Sequence, residues 1–223
     1  MIKIAIGFDQ REAVAYHTFV QSVLTNTKET IVLIPLKLNN INSYFEKHND
    51  GSNEFIYSRF LTPFINQFTG WCIFADGDMI CNNDIIELWN LRDSNKAVHV
   101  VKHDYKTKFK NKYLGNKNEN YPRKNWSSLI LWNCEHKKNK ILTPEFISNK
   151  DGKFLHRFSW LEDEDIGSID ISWNWLVSEY DDNEEAKLLH YTIGTPCFNQ
   201  FKNSNHSDLW YKYYNLMIEG INK

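Results

Sequence analysis

The chain is short of cysteine, and of the residues that interrupt regular structure. Its 223 residues include 4 Cys, 5 Pro and 9 Gly. The cysteines are Cys72, Cys81, Cys134 and Cys197. None forms a C-x-x-C pair, which argues against a structural zinc site. No apolar run approaches the ~18 residues that a membrane span needs. The first residues, MIKIAIGFDQ, enter a strand pattern at once, without a basic segment and apolar core, so no secretory leader is expected. Scattered thiols without a leader fit a reducing compartment, and the expected location is cytoplasmic. An excess of charge of one sign is also missing: 26 Lys+Arg against 28 Asp+Glu leave −2. Duplex binding relies on a strong positive field, so nucleic acid is not an expected partner. There is no G-x-G-x-x-G, no G-x-x-x-x-G-K-[ST] and no G-x-S-x-G. A dinucleotide fold, a P-loop NTPase and a nucleophilic hydrolase all lose support.

Aromatic residues, by contrast, make up 15% of the chain. They suit either a large core or a surface that stacks on sugars. IKIAIGF (2–8) and TIVLIPLKL (30–38) read as buried strands, with Pro35 marking an edge. REAVAYHTFVQSVLTNT (11–27) between them has helical spacing. A β-α-β opening favours a parallel sheet with a right-handed crossover. Further strands are expected at WCIFA (71–75), AVHVV (97–101) and WSSLILWN (126–133), and KLLHYTIGTPCF (187–198) reads as a strand running into a Gly/Pro turn. Helices are expected at 54–68, kinked by Pro63, at 84–91 with Asp84 as N-cap, at 142–148 with Thr143 as N-cap, and at 207–220 ending at Gly220. No repeat or linker divides the chain, so a single α/β domain spanning 1–223 is expected. Ligand loops belong at the carboxyl ends of its strands.

Four stretches carry candidate chemistry. In IFADGDMICNND (73–84), Asp76 and Asp78 follow a strand, and residues i and i+2 point the same way. Two carboxylates across Gly77 suit a hard divalent cation, or they close an Asx-type turn. His190, at the end of an apolar strand, either completes such a site or is a structural histidine. Glu162–Asp165 form an acidic run that is either a solvated face or the source of a catalytic carboxylate. GFDQR (7–11) lies where a nucleotide tends to bind in an α/β sheet, with Asp9 for a base or ribose and Arg11 for a phosphate. Residues 105–124 hold six lysines and Arg123 against Glu119 alone. That is either a mobile polar loop or a basic lid over a phosphate or acceptor.

The order of these stretches, with YSRF (57–60), SSLILWN (127–133) and WNW (173–175), resembles glycosyltransferase family 8 on a GT-A fold, across residues 2–198. The resemblance implies that Asp76, Asp78 and His190 hold Mn²⁺ or Mg²⁺. Gly7, Phe8, Asp9, Arg11, Arg59, Gly77 and Gly194 then bind a nucleotide-sugar donor, with UDP the expected nucleotide. Asp163, Glu164 and Asp165 lie beside the anomeric carbon as catalytic groups, and Trp126, Ser127, Ser128 and Asn174 contact the sugar. Transfer goes with retention to a glycan or other hydroxyl acceptor.

Three departures accompany the resemblance: Thr195 replaces a diphosphate-binding lysine, Trp126 and Ser128 replace an Asn and a Gly, and Glu164 replaces a Gln. A lysine from 105–124 is one candidate to supply the missing charge. Rival readings are a nucleotidyltransferase acting on sugar phosphates, which usually needs a Gly- and Lys-rich first loop, and a carbohydrate-binding module, which would not need metal-spaced acids. The C-terminal LWYKYYNLM is expected to pack on the core rather than touch a membrane.

Overall fold

The computed structural model describes residues 1–219. The first 37 residues form the expected unit: β1 (Ile2–Phe8), α1 (Ala13–Asn26) and β2 (Ile31–Lys37). β1 and β2 are parallel in register from Ile2↔Ile31 to Phe8↔Lys37. β2 is the edge strand, which is what its Pro35 requires.

After α2 (Thr62–Ile65) come β3 (Trp71–Ala75), β4 (Met79–Cys81), α3 (Ile85–Trp89) and β5 (Val98–Val101). Then follow β6 (Leu129–Asn133), α4 (Pro144–Ser148), α5 (Gly152–His156) and β7 (Ile166–Ile169). The chain closes with β8 (Trp175–Leu176), β9 (Leu188–His190) and α6 (Ser207–Glu219). The main sheet has the order β2-β1-β3-β6-β5-β7. β6 alone runs against its neighbours, so the sheet is mostly parallel. A smaller sheet, β4-β9-β8, stands beside it.

The apolar runs are explained by two buried faces. Alternate residues of β1, β3 and β6 divide between two cores. Ala5, Cys72, Phe74, Ile130 and Trp132 join Phe60, Leu61, Ile147 and Leu155 on one side. Ile4, Ile6, Ile73, Ala75, Leu129 and Leu131 join Tyr16, Phe19 and Val23 of α1 and Ile85 and Leu88 of α3 on the other. A third cluster seats Trp210 and Tyr213 of α6 against Ile80 and Leu189. The C-terminal aromatics therefore pack on the core. None of the described helices is long and apolar enough to cross a membrane.

Two elements differ from their sequence expectation. The helix expected over 54–68 is a 3-10 turn at Ser58–Leu61 followed by the short α2, closed by Gln67 and Phe68 at φ 55° and 54°. Trp126–Ser128 are also a 3-10 turn, entered through Asn125 at φ 61°, and the strand begins only at Leu129. The last strand stops at His190, where its pairing with β4 ends, and runs into the expected Gly/Pro turn. Both Asp84 and Thr143 do cap their helices, accepting from Ile86 N–H and Phe146 N–H. Gly220, the expected end of the last helix, lies outside the described residues.

Candidate functional site

β3 delivers Asp76 to the carboxyl edge of the sheet, and the Asp76 N–H donates to Ser128 O at 2.9 Å. The chain then turns through Gly77. A Cβ there would lie 2.4 Å from Gly7 O, so only glycine lets this turn press against the end of β1. Asp78 leads into β4, where Met79 pairs with His190. Two sheets thus converge on one point. Asp76, Asp78 and His190 each offer a ligand atom within 4.8 Å of the others. His190 Nε2 is 3.3 Å from Asp78 Oδ1 and 4.0 Å from Asp76 Oδ2. Their side chains are 2%, 12% and 11% exposed, in the order His190, Asp78, Asp76, so little solvent screens the group.

The histidine is held by a hydrogen-bonded chain. Ser128 Oγ–H donates to Asn125 O at 2.7 Å, so its oxygen must accept from Asn174 Nδ2 at 2.9 Å. That turns Asn174 Oδ1 to His190 Nδ1 at 3.0 Å, and Nδ1 carries the proton. Nε2 is then a bare lone pair facing the buried Asp78 Oδ1, which has no hydrogen-bond partner. Two lone pairs at 3.3 Å repel unless a cation lies between them, and this donor set suits a divalent ion. Ser128 and Asn174, expected at the sugar, orient the histidine, and Ser128 also lines the neighbouring cavity.

The electrostatics follow from burial. Desolvation pushes Asp76 up to about 6, although Arg59 NH1, 2.8 Å away, pulls the other way. Glu12, behind Asp78, rises to about 8 through burial and then the Asp78 charge.

A cavity of about 380 Å³ opens from Asp76. Arg59, Lys112, Asn125, Ser127, Ser128 and His156 are among its lining residues. Arg59 NH1 also donates to Ser127 O at 3.0 Å. Burial takes His156 down to about 3, and its Nδ1 pairs with Ser127 Oγ at 2.7 Å. At the end of β1, Asp9 is closed by Arg11 at 2.6 Å and by Glu54 N–H at 3.2 Å, and Phe8 packs edge-on to Tyr16. Gly194, at φ 155°, takes the ring of Phe201 where a Cβ would stand. Trp126 lies beside the cavity, donating to His103 O and covered by Arg123.

The structure does not bring Asp163, Glu164 and Asp165 to this cluster. β6 runs against β3, from Ala75↔Leu129 to Trp71↔Asn133. β5 begins opposite Trp132, and β7 begins beside Val98. The start of β7 therefore lies at the edge where β3 begins, and Asp76 at the edge where β3 ends. A strand of five residues separates these edges by roughly 16 Å. The acids there meet protein cations: Asp163 pairs with Arg123, and Asp165 with Lys138 at 2.5 Å. The acidic run caps the entry to β7, with the Glu162 N–H donating to Asp165 at 2.8 Å.

Lys112 and His156 are among the cavity groups that sequence reasoning passed over. Lys112 was legible only as one lysine of a basic stretch. His156 had no signal, because nothing in FLHRF fixes where the short α5 would dock.

Comparison with known proteins places this geometry in a family. The profile of glycosyl transferase family 8 matches residues 12–196. Protein CDI of Arabidopsis thaliana is 41% identical over 217 residues, covering 93% of this chain and 84% of that protein. The glycosyltransferase GlyE of Streptococcus pneumoniae superposes with a TM-score of 0.63 at 13% identity, over 98% of this chain. The chain spans only 62% of GlyE. The galactosyltransferase LgtC, solved with donor and acceptor sugar analogues, gives a TM-score of 0.55 at 9% identity, over 96% of this chain and 95% of LgtC. At such identities the superpositions speak to the GT-A fold, while the profile and the Arabidopsis relative speak to kinship. The chain belongs to glycosyl transferase family 8 and is a glycosyltransferase.

Proposed function

We propose that this glycosyltransferase moves a hexose from a nucleotide-diphosphate sugar, with UDP as the nucleotide, to a hydroxyl of a glycan, retaining the anomeric configuration. Asp76, Asp78 and His190 would hold Mn²⁺ or Mg²⁺. The observation that carries this reading is their convergence beside a polar cavity, with a bare imidazole nitrogen facing a buried carboxylate. When bound, a divalent ion there neutralises charge on a diphosphate leaving group.

The chain's own residues set up the rest. Asn174 and Ser128 fix the proton on His190 Nδ1, which leaves Nε2 available as a ligand. Arg59 keeps Asp76 oriented at 2.8 Å and adds a fixed positive charge at the cavity mouth. Ser127 and Asn125 line the cavity with polar groups suited to sugar hydroxyls. Asp9 and Arg11, at the carboxyl end of β1, form the edge where the nucleoside would lie. LgtC, of the same fold, was solved with donor and acceptor sugar analogues, which fits a cleft of this kind.

The test is a thermal-shift panel of UDP, GDP, CDP and TDP with and without Mn²⁺. A ligand at 100 times its Kd stabilises by about 2.7 kcal/mol. A metal-dependent shift with one diphosphate, followed by hydrolysis or transfer from the matching sugar donor, is expected. Absence of a shift with every nucleotide would overturn the reading.

A further inference from the structure

The stretch 105–124 is mostly solvated, but two of its six lysines are not exposed. Lys106, Lys108, Lys110 and Lys117 are exposed. Lys124 is buried, and Asn118 Oδ1 and Glu119 O accept from it. Lys112 alone of the six lines the cavity beside Asp76 and Arg59. Its Nζ donates to Thr192 Oγ1 at 2.8 Å, in the turn that follows His190.

The backbone holds it there. Asn111 and Lys117 bridge, and Lys112 N–H donates to Asn116 O at 2.7 Å. Tyr113 N–H donates to Ile193 O at 2.8 Å, and the Tyr113 ring stacks on Phe198 at 5.3 Å. The tip turns through Leu114 and Gly115 at φ 55° and 75°. This is a small hairpin pinned to the turn beside the candidate metal ligands, not a free loop.

The charges at the cavity mouth are unevenly matched. Arg59 is paired with Asp76, and His190 faces Asp78. Among the described residues Lys112 has no carboxylate within ion-pair distance, and a hydroxyl is its only side-chain partner. Asp76 and Asp78 balance it from further off. Once a divalent ion engages those carboxylates, the Lys112 ammonium is left partly desolvated and without a counter-charge. A desolvated ammonium needs an anion. The turn from Tyr191 to Cys197 supplies no cation of its own, so an anion lying against the metal on this side has Lys112 to meet it.

We propose that Lys112 binds the diphosphate of the donor, from the hairpin rather than from the turn after His190. This inference rests on the nucleotide-sugar reading above. Lys112 is a binding residue, and its hairpin presents the charge.

The experiment measures Kd for UDP and for uridine by calorimetry, at saturating Mn²⁺, in the wild-type protein and in Lys112→Gln and Lys112→Arg. A charge-assisted hydrogen bond lost from a partly buried site should weaken UDP roughly ten- to hundredfold in Lys112→Gln. Uridine, which has no phosphate, should be held as in wild type. Lys112→Arg should recover much of the loss. UDP affinity within twofold of wild type in Lys112→Gln overturns the proposal while leaving the donor reading intact. An equal loss for UDP and uridine also overturns it, because the hairpin would then be scaffold. If wild-type protein binds no UDP, the donor reading fails first and this inference falls with it.

Discussion

Two groups of acids, similar as sequence, end at opposite edges of one sheet. DGD gathers Asp76 and Asp78 at the carboxyl edge, and LEDED gathers Asp163, Glu164 and Asp165 at the amino edge. Lys138 meets Asp165 at the amino edge, where the Glu162 N–H adds a hydrogen bond, and Arg123 reaches Asp163 from beside Trp126. At the carboxyl edge, Arg59 answers only one of the two carboxylates, and a bare imidazole nitrogen faces the other. An acidic pair becomes a ligand site when the fold leaves its charge unanswered away from solvent. When protein cations neutralise it in place, it becomes a cap.

The largest effect that would break this contrast is at Asp78. In Asp78→Asn a ligand charge is removed while the shape is kept. Metal-stimulated turnover should fall on the order of 10³-fold, since a group stabilising charge in the transition state is worth several kcal/mol. Steady-state kinetics against Mn²⁺ concentration measure it. Turnover within a few-fold of wild type would place the metal elsewhere.

A smaller effect is expected one bond further out. Asn174 touches the histidine and not the metal position. Asn174→Ala removes the acceptor that keeps the proton on Nδ1. Metal affinity should weaken about 10- to 100-fold, as for other partners of ligating histidines. Mn²⁺ titration followed by electron paramagnetic resonance reads this directly. Unchanged affinity would mean that His190 is not a ligand, or that its tautomer is fixed some other way.

The two edges should also answer pH with opposite signs. Burial, partly offset by Arg59, raises Asp76 to about 6 in the folded protein. Between about pH 4 and 6 the metal-free folded state then holds more protons than the unfolded one. This carboxylate's contribution to stability therefore declines as pH rises through that window. Asp165 is lowered: burial raises it, but the hydrogen bonds from Lys138 and the Glu162 N–H, together with the Lys138 charge, prevail. Its contribution is present above the unfolded pKa of about 4 and is lost as pH falls below it. Melting temperature from pH 4 to 7 without metal should therefore show Asp76→Asn gaining on wild type as pH rises. A constant offset between the two would contradict the burial argument. His103 and His156, both taken down to about 3 by burial, act in the same window, and they cancel in the difference.

Much of this was legible in the sequence, and the gaps have physical causes. Strand runs such as IKIAIGF and WCIFA show themselves because both faces are buried. Asp84 and Thr143 show themselves because caps use local geometry. The pairing of Asp76, Asp78 and His190 was accessible only through the order of motifs, since β4 and β9 lie more than 100 residues apart. The acidic run was misplaced because its position depends on the register of four strands, which no local pattern encodes. Ser128 and Asn174 were identified by type, but whether they face a sugar or an imidazole depends on tertiary contacts.

The smallest predicted effect gives the cleanest test of the contrast. Asp165→Asn keeps the shape and removes the charge opposite Lys138. The Glu162 N–H can still donate to an amide oxygen, so the cap at the entry to β7 is weakened and not lost. Stability should fall by about 1 kcal/mol, the usual worth of such a bond. UDP affinity and Mn²⁺ affinity should stay at wild-type values, because a strand's length of roughly 16 Å separates this edge from Asp76. Denaturant unfolding and calorimetry on one preparation measure both. If donor binding or turnover collapses while stability holds, the acidic run works at the reacting sugar. The lower edge of the sheet would then have to rearrange around the bound donor, and the division between a ligand edge and a cap edge would no longer stand.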